Sequence, residues 1–322
     1  MKHRLTITVI MLMMFLVTQL IGLAVIYAYT PHVKTVTVGN ETTNVTISRE
    51  LPFGMEPPKT TPQNAMISII IALVLVTVAF LVLTRINASI VIKIWFFSVV
   101  AISIAISLNA IFAMLGIFNA AWKILVSAIV IAVIMTFLKI FRTNFYTHNL
   151  SELLIYPGLA AVFVPILSPV TAIILLLIIS VYDMYAVWKS KIMVEMAKYQ
   201  MNTLKVFTGF FIPYFLKKPK PGEKVRIQMQ KSMAQRARIS KKLKKHKIAV
   251  ALLGGGDVAF PLIFAGVVMR AISIPAALII VGTATASLLA LLMFSRKGKF
   301  YPAMPFLTAG CFAGYLIVLL LL

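Results

Sequence analysis

Two residues in this chain could do chemistry in a place where they are costly to keep. The 322 residues contain only two aspartates, Asp183 and Asp257, and both lie inside apolar runs: Val170–Ser190 (VTAIILLLIISVYDMYAVWKS) and Ile248–Met269 (IAVALLGGGDVAFPLIFAGVVM). An isolated carboxylate in hydrocarbon costs several kcal/mol, so intramembrane acids are read as functional by default. Asp183 is six residues before Lys189, roughly 9 Å along a helix. Asp257 is ten residues beyond Lys247, roughly 15 Å along a helix. Both acids are thus predicted in the inner part of the membrane, on consecutive spans of opposite direction. If those spans pack, the carboxyls face each other, share a proton and titrate as a pair. One can then take a proton from water while the other polarises an amide carbonyl and protonates the leaving nitrogen, as in aspartic proteases.

Two backbone features flank this pair. Gly254, Gly255 and Gly256 stand directly before Asp257. Each costs a helix about 1 kcal/mol against alanine, which suggests that backbone must come close there or that the helix must loosen for a substrate strand. Tyr301-Pro302-Ala303-Met304-Pro305 opens the last apolar run. Its prolines remove two backbone donors, and such backbone is tolerated at membrane depth only when buried or lining a cavity. A free carbonyl there is expected to accept a main-chain hydrogen bond from an extended substrate.

The elements that must position these residues follow from composition. The chain is 61% hydrophobic and 12% charged, which excludes a soluble domain of this length and points to an all-α polytopic membrane protein. Nine runs approach the roughly 20 apolar residues a span needs: Leu5–Tyr29, Ala65–Thr84, Ile90–Leu115, Asn119–Phe141, Leu150–Leu167, Val170–Ser190, Ile248–Met269, Ile272–Phe294 and Tyr301–Leu322. The runs are continuous rather than alternating, unlike β-barrel strands. Leu5–Tyr29 follows Lys2, His3 and Arg4, yet is too long and lacks a small-residue cleavage site, so it is read as a retained helix.

The net charge of +23 is unevenly placed. Seventeen Lys/Arg against Glu195 and Glu223 lie between Lys189 and Lys247. Lys2 and Arg4, Arg85 and Lys93, Lys139 and Arg142, and Arg296, Lys297 and Lys299 fall on the same side if the N-terminus is cytoplasmic. This positive-inside pattern puts the N-terminus in the cytoplasm and the C-terminus outside. The predicted organisation is residues 1–167, with five spans and an outside loop at 30–64; residues 168–190, the span with Asp183; residues 191–247, a basic cytoplasmic loop; and residues 248–322, the last three spans. The basic loop is read as lying against anionic lipid headgroups, with no nucleic-acid module. Its apolar stretch Val206–Leu216, broken by Pro213, is read as interfacial in preference to a plug at the site. The outside loop is read as irregular or a short hairpin, with sequons at Asn40 and Asn44. One cysteine, Cys311, is read as a packing residue and excludes an intrachain disulfide.

Together, Tyr182-Asp183, Gly254-Gly255-Gly256-Asp257 and Pro302-Ala303-Met304 resemble the YD, GxGD and PAL motifs of the presenilin and signal peptide peptidase family of intramembrane aspartyl proteases. The order, the spans they occupy and the count of nine agree with that family over nearly the whole chain. Met304 stands where the motif has leucine, a similar but more flexible side chain. The orientation resembles presenilin more than signal peptide peptidase, and the absence of a large extra domain resembles a prokaryotic, archaeal homologue, which implies the cell membrane. The resemblance implies that Asp183 and Asp257 are the catalytic pair, that Gly254 and Gly256 shape the GxGD helix with Gly255 between them, and that Pro302, Ala303 and Met304 support substrate positioning. Tyr182 is either a hydrogen-bond partner near the dyad or an aromatic packed between helices. The implied substrates are transmembrane segments of other proteins, with no metal or cofactor; oligomeric state is left open.

The same residues admit two other readings. Asp183 pairing with Lys189, and Asp257 at a polar helix contact, would make the acids structural. A transporter or cation leak channel would use them for proton or cation binding, but transporters pair interrupted helices in two halves, whereas here the breaks cluster near the C-terminus. The sequence has no HExxH zinc signature, and His3, His32, His148 and His246 are all predicted outside the membrane core.

Overall fold

The computed structural model describes residues 5–38, 41–47, ten helical residues between 67 and 83, and residues 89–142, 144–187, 208–215, 248–295 and 301–321. The helices are α1 (Leu5–Tyr29), α2 (Ser89–Met114), α3 (Ala121–Phe141), α4 (Phe145–Phe163), α5 (Pro169–Tyr185), α6 (Gly255–Ala271), α7 (Ile274–Phe294) and α8 (Met304–Leu321). The ten residues between 67 and 83 fall in the expected second span. Among the described residues, five helices, α1, α2, α3, α7 and α8, are long and apolar enough to cross a membrane; α5 is apolar but has 17 residues. The chain forms two compact units, residues 1–210 with 253–322, and residues 211–252.

In the first unit, α6 is the central helix, packed against α1, α4, α5, α7 and α8. Every residue from Pro261 to Met269 is buried. Large apolar side chains cover the outer faces instead: Val126, Val130, Ile134 and Phe137 on α3 are each about half exposed. That is the distribution expected of helices solvated by lipid, which apolar side chains need not avoid. Small residues bring the helices together. A Cβ on Gly158 of α4 would fall 1.9 Å from the Ser103 carbonyl oxygen of α2, so only glycine permits that crossing.

Local signals set the helix starts. Ser168 and Thr171 form a reciprocal capping box on α5: the Thr171 N–H donates to Ser168 Oγ (3.3 Å) and the Ser168 N–H to Thr171 Oγ1 (2.8 Å), with Pro169 in the first turn. Ser273 Oγ accepts from the Ala276 N–H at the start of α7 (3.3 Å). Of the two readings of the outside loop, the strand pairing is present: β1 (His32–Val38) pairs antiparallel with β2 (Glu41–Ile47), from His32↔Ile47 to Val38↔Glu41.

Two expectations are corrected. Ile248–Met269 is not one helix: Ile248–Gly254 is a strand, β4, and the helix begins at Gly255. The helical rise used to place Asp257 therefore does not apply to those seven residues. The neighbouring strand, β3 (Gly209–Phe215), lies in the Val206–Leu216 stretch and pairs with β4 in a two-stranded sheet. A strand accommodates Pro213 more readily than a helix interior does. Finally, α4 starts at Phe145, five residues before the expected fifth span, and so includes His148 as well. Lys189, the basic stretch 217–247, the turn at Arg296–Lys299 and Asn40 lie outside the described residues.

Candidate active site

Asp183 is the third residue from the C-terminal end of α5, and its side chain is 7% exposed. Its Oδ2 accepts the Met304 backbone N–H at 3.1 Å, and the Ala303 amide also hydrogen-bonds the carboxyl. Met304 is the first residue of α8, so the carboxyl satisfies an amide that has no intrahelical partner. The prolines explain why this amide faces the acid. Pro302 and Pro305 carry no N–H, so Ala303 and Met304 are the donors left at that helix start. The Ala303 carbonyl accepts from the Leu307 N–H at 3.1 Å.

Asp257 is the third residue of α6, whose N-cap is Gly254 in an extended conformation (φ −62°, ψ 145°). Its carboxyl folds back to the Gly254 N–H, half of a capping box with no side chain to return the bond. A Cβ on Gly254 would lie 3.0 Å from Asp257 Oδ2. The glycine run is thus a strand-to-helix junction and not a loosened helix interior. On the far side of the same turn, Gln19 Nε2 of α1 donates to the Val258 carbonyl at 2.9 Å.

The two acids are within Coulombic reach of each other. Each sits at the positive end of a helix, Asp257 at that of its own α6 and Asp183 at that of α8, where backbone dipoles and spare N–H groups favour negative charge. Of the other residues singled out in the sequence, Pro302 and Met304 are buried and Ala303 is half-buried beside Asp183; Gly254 and Gly255 are half-buried and Gly256 is exposed. Tyr182 is 58% exposed, next in sequence to the buried Asp183. Cys311 is buried and free. Arg270 Nη1 donates to the Val164 carbonyl at 3.3 Å.

Sequence reasoning missed a buried polar group beside the glycine run. Lys139, assigned to a cytoplasmic turn, is 1% exposed and ion-paired with Glu152, itself 1% exposed. Tyr156 donates its hydroxyl to the other oxygen of Glu152, and its ring lies against Gly255. His148, expected outside the membrane core, is fully buried inside the protein, with Nε2 2.8 Å from the Gly209 carbonyl oxygen. The signal was available: Glu152 is a third acid inside an expected span, with His148 and Tyr156 one turn to either side.

Comparison with known proteins accords with this geometry. A family profile described as signal-peptide peptidase, presenilin aspartyl protease matches residues 33–322. Two crystal structures of a presenilin family intramembrane aspartate protease share the fold. In the C222 form the TM-score is 0.58 at 19% identity, covering 98% of this chain and 99% of that one. In the P2 form it is 0.58 at 21% identity, covering 97% of each. No curated protein matches the chain. The profile match over most of its length shows that the chain belongs to the signal peptide peptidase and presenilin family of intramembrane aspartyl proteases.

Proposed function

We propose that Asp183 and Asp257 are the catalytic dyad of this protease, and that it hydrolyses peptide bonds within transmembrane segments of other membrane proteins. The observation that carries the assignment is the hydrogen bond from the Met304 amide to Asp183, which joins the Pro302-Ala303-Met304 motif to one acid while Asp257 lies within reach of that acid's charge. In the reaction, one carboxylate takes a proton from water as the oxygen attacks the scissile carbonyl. The other, protonated, donates to that carbonyl oxygen, and the amide nitrogen leaves with a proton. Buried N–H donors fixed before the substrate arrives need no reorganisation during the step.

In this reading Gly254 holds the Asp257 carboxyl, exposed Gly256 leaves room for substrate backbone, and Ala303 and Met304 hold Asp183 through their amides. Pro302 opens the helix that presents them. Tyr182, exposed beside Asp183, is a support residue for substrate. The substrate helix must unwind locally, because a helical amide is shielded by its own hydrogen bonds. Water reaches the acids from the inner side. The chain has nine spans, with its N-terminus in the cytoplasm and its C-terminus outside, in the cell membrane of a prokaryotic host; its basic 191–247 loop meets anionic lipid. The transporter or channel reading is not favoured, since the family match is to a protease.

The test is purified protein in liposomes with a transmembrane reporter peptide. Cleavage blocked by a non-hydrolysable analogue of the tetrahedral intermediate supports the reading. Ion flux dependent on the two acids, with no cleavage, would establish the channel reading instead.

A further inference from the structure

The GxGD pattern leaves its second position open, yet here that position is also glycine, Gly255. The structure supplies a reason specific to this chain. A Cβ on Gly255 would stand 2.8 Å from Tyr156 Oη and 3.1 Å from its Cε1. The phenol ring occupies the space that a side chain at this position would fill.

The ring is held at both ends. Its hydroxyl donates to Glu152 Oε2, and Lys139 donates to Glu152 Oε1. His148 Nε2 lies 3.6 Å from the same Oε1. The edge of the ring meets Phe210 at a centroid distance of 5.8 Å and an interplanar angle of 67°. Tyr156 is 3% exposed. Packing α3 against α4 would not require an ion pair, because apolar side chains of similar volume replace buried pairs without loss. What the pair adds is a fixed acceptor for the phenol hydroxyl, and so one orientation of the ring.

Asp257 is mounted two residues beyond Gly255, on three residues with no side chains of their own to limit φ and ψ. We propose that Lys139, Glu152 and Tyr156 form a positioning relay: Tyr156 is the wall that confines the Gly254–Gly256 backbone, and through it fixes where the Asp257 carboxyl meets the substrate amide. The proposal rests on Asp257 being a catalytic acid. The three residues act through Gly255 and touch no substrate. A carboxyl displaced by a fraction of an ångström reacts more slowly without binding substrate less well, so the effect belongs in kcat.

The experiment uses the full chain in detergent, with a transmembrane reporter and with hydrogen exchange read by mass spectrometry. Tyr156→Phe keeps the ring and removes its bond to Glu152. We expect kcat to fall about tenfold with KM within about twofold, and amide exchange to rise in peptides covering 254–260 but not in those of α7. Gly255→Ala gives the independent arm. Its cost should be about thirtyfold with Tyr156 present and no more than about threefold in a Tyr156→Ala background, since the clash has gone. The relay is overturned if Tyr156→Phe leaves both kcat and exchange unchanged, if exchange rises equally in all helices, or if the Gly255→Ala cost is the same in both backgrounds. Asp257→Ala is the control. Cleavage that survives it defeats the assignment of Asp257 as a catalytic acid, a wild type that does not cleave defeats the protease reading, and in either case the exchange comparison still decides whether Tyr156 confines this turn.

Discussion

Asp183 and Asp257 are both held by helix-start amides, but the source of the amide differs. Asp257 takes its bond from Gly254, three residues before it on the same turn, and needs only local backbone to do so. Asp183 takes its bond from Met304, 121 residues later, and stands at a helix end where its own α5 offers no spare N–H. One support is local and built on glycine; the other is made in trans and built on proline. The local support is open to sequence reading but conformationally loose, and so needs a wall. The distant one is preorganised by proline but depends on α5 and α8 staying packed.

The largest effect is expected where the distant support is cut. Met304→Pro removes the donor at a first helical position, where proline is tolerated. Since a hydrogen bond to a charged group is worth about 1.5–3 kcal/mol, cleavage should fall roughly ten- to a hundredfold with the protein still folded by circular dichroism. Gly254→Ala strikes the local support through its 3.0 Å approach to Asp257 Oδ2. It should cost about tenfold in kcat, less than Met304→Pro because the Gly254 N–H survives. Equal losses would erase the distinction between the two supports. Gly256→Ala sharpens it further: its Cβ would meet only the Phe260 ring, at 3.5 Å, an ordinary contact. Thermal unfolding should therefore be unchanged, and any loss should appear in KM as hindered substrate approach. Ser168→Ala, at the far end of α5, should lower stability by about 1 kcal/mol and leave kcat near wild type. The smallest effect is Met304→Leu, which keeps the amide and nearly the volume. It should retain at least about half the activity; a large loss would mean that the side chain, and not the backbone, is what the motif contributes.

Much of this was legible in the sequence because hydrocarbon allows few exceptions. Long apolar runs must be helices, so α1, α2, α3, α7 and α8 follow from length and composition. The two acids stood out as charges in those runs, and Pro302 and Pro305 as a helix start. Strands β3 and β4 were not legible. Ile248–Gly254 is a short apolar run continuous with the helix that follows, and periodicity does not separate a buried strand from a buried helix turn. Nor did the Lys139–Glu152 pair show itself, because a lysine near the end of an apolar run reads as a cytoplasmic flank until the next helix brings it a partner. The amides of Ala303 and Met304 were not legible as partners of Asp183: missing proline N–H groups drew attention to free carbonyls, and only the fold shows the remaining donors next to the acid.

The most direct measurement is cleavage of a transmembrane reporter by wild type, Asp183→Ala, Asp257→Ala and the double variant, each checked for folding. Residues acting as one unit are not additive, so each single variant should fall to background and the double should fall no further. Cleavage above about a tenth of wild type in either single variant, or losses that multiply in the double, would contradict a shared dyad.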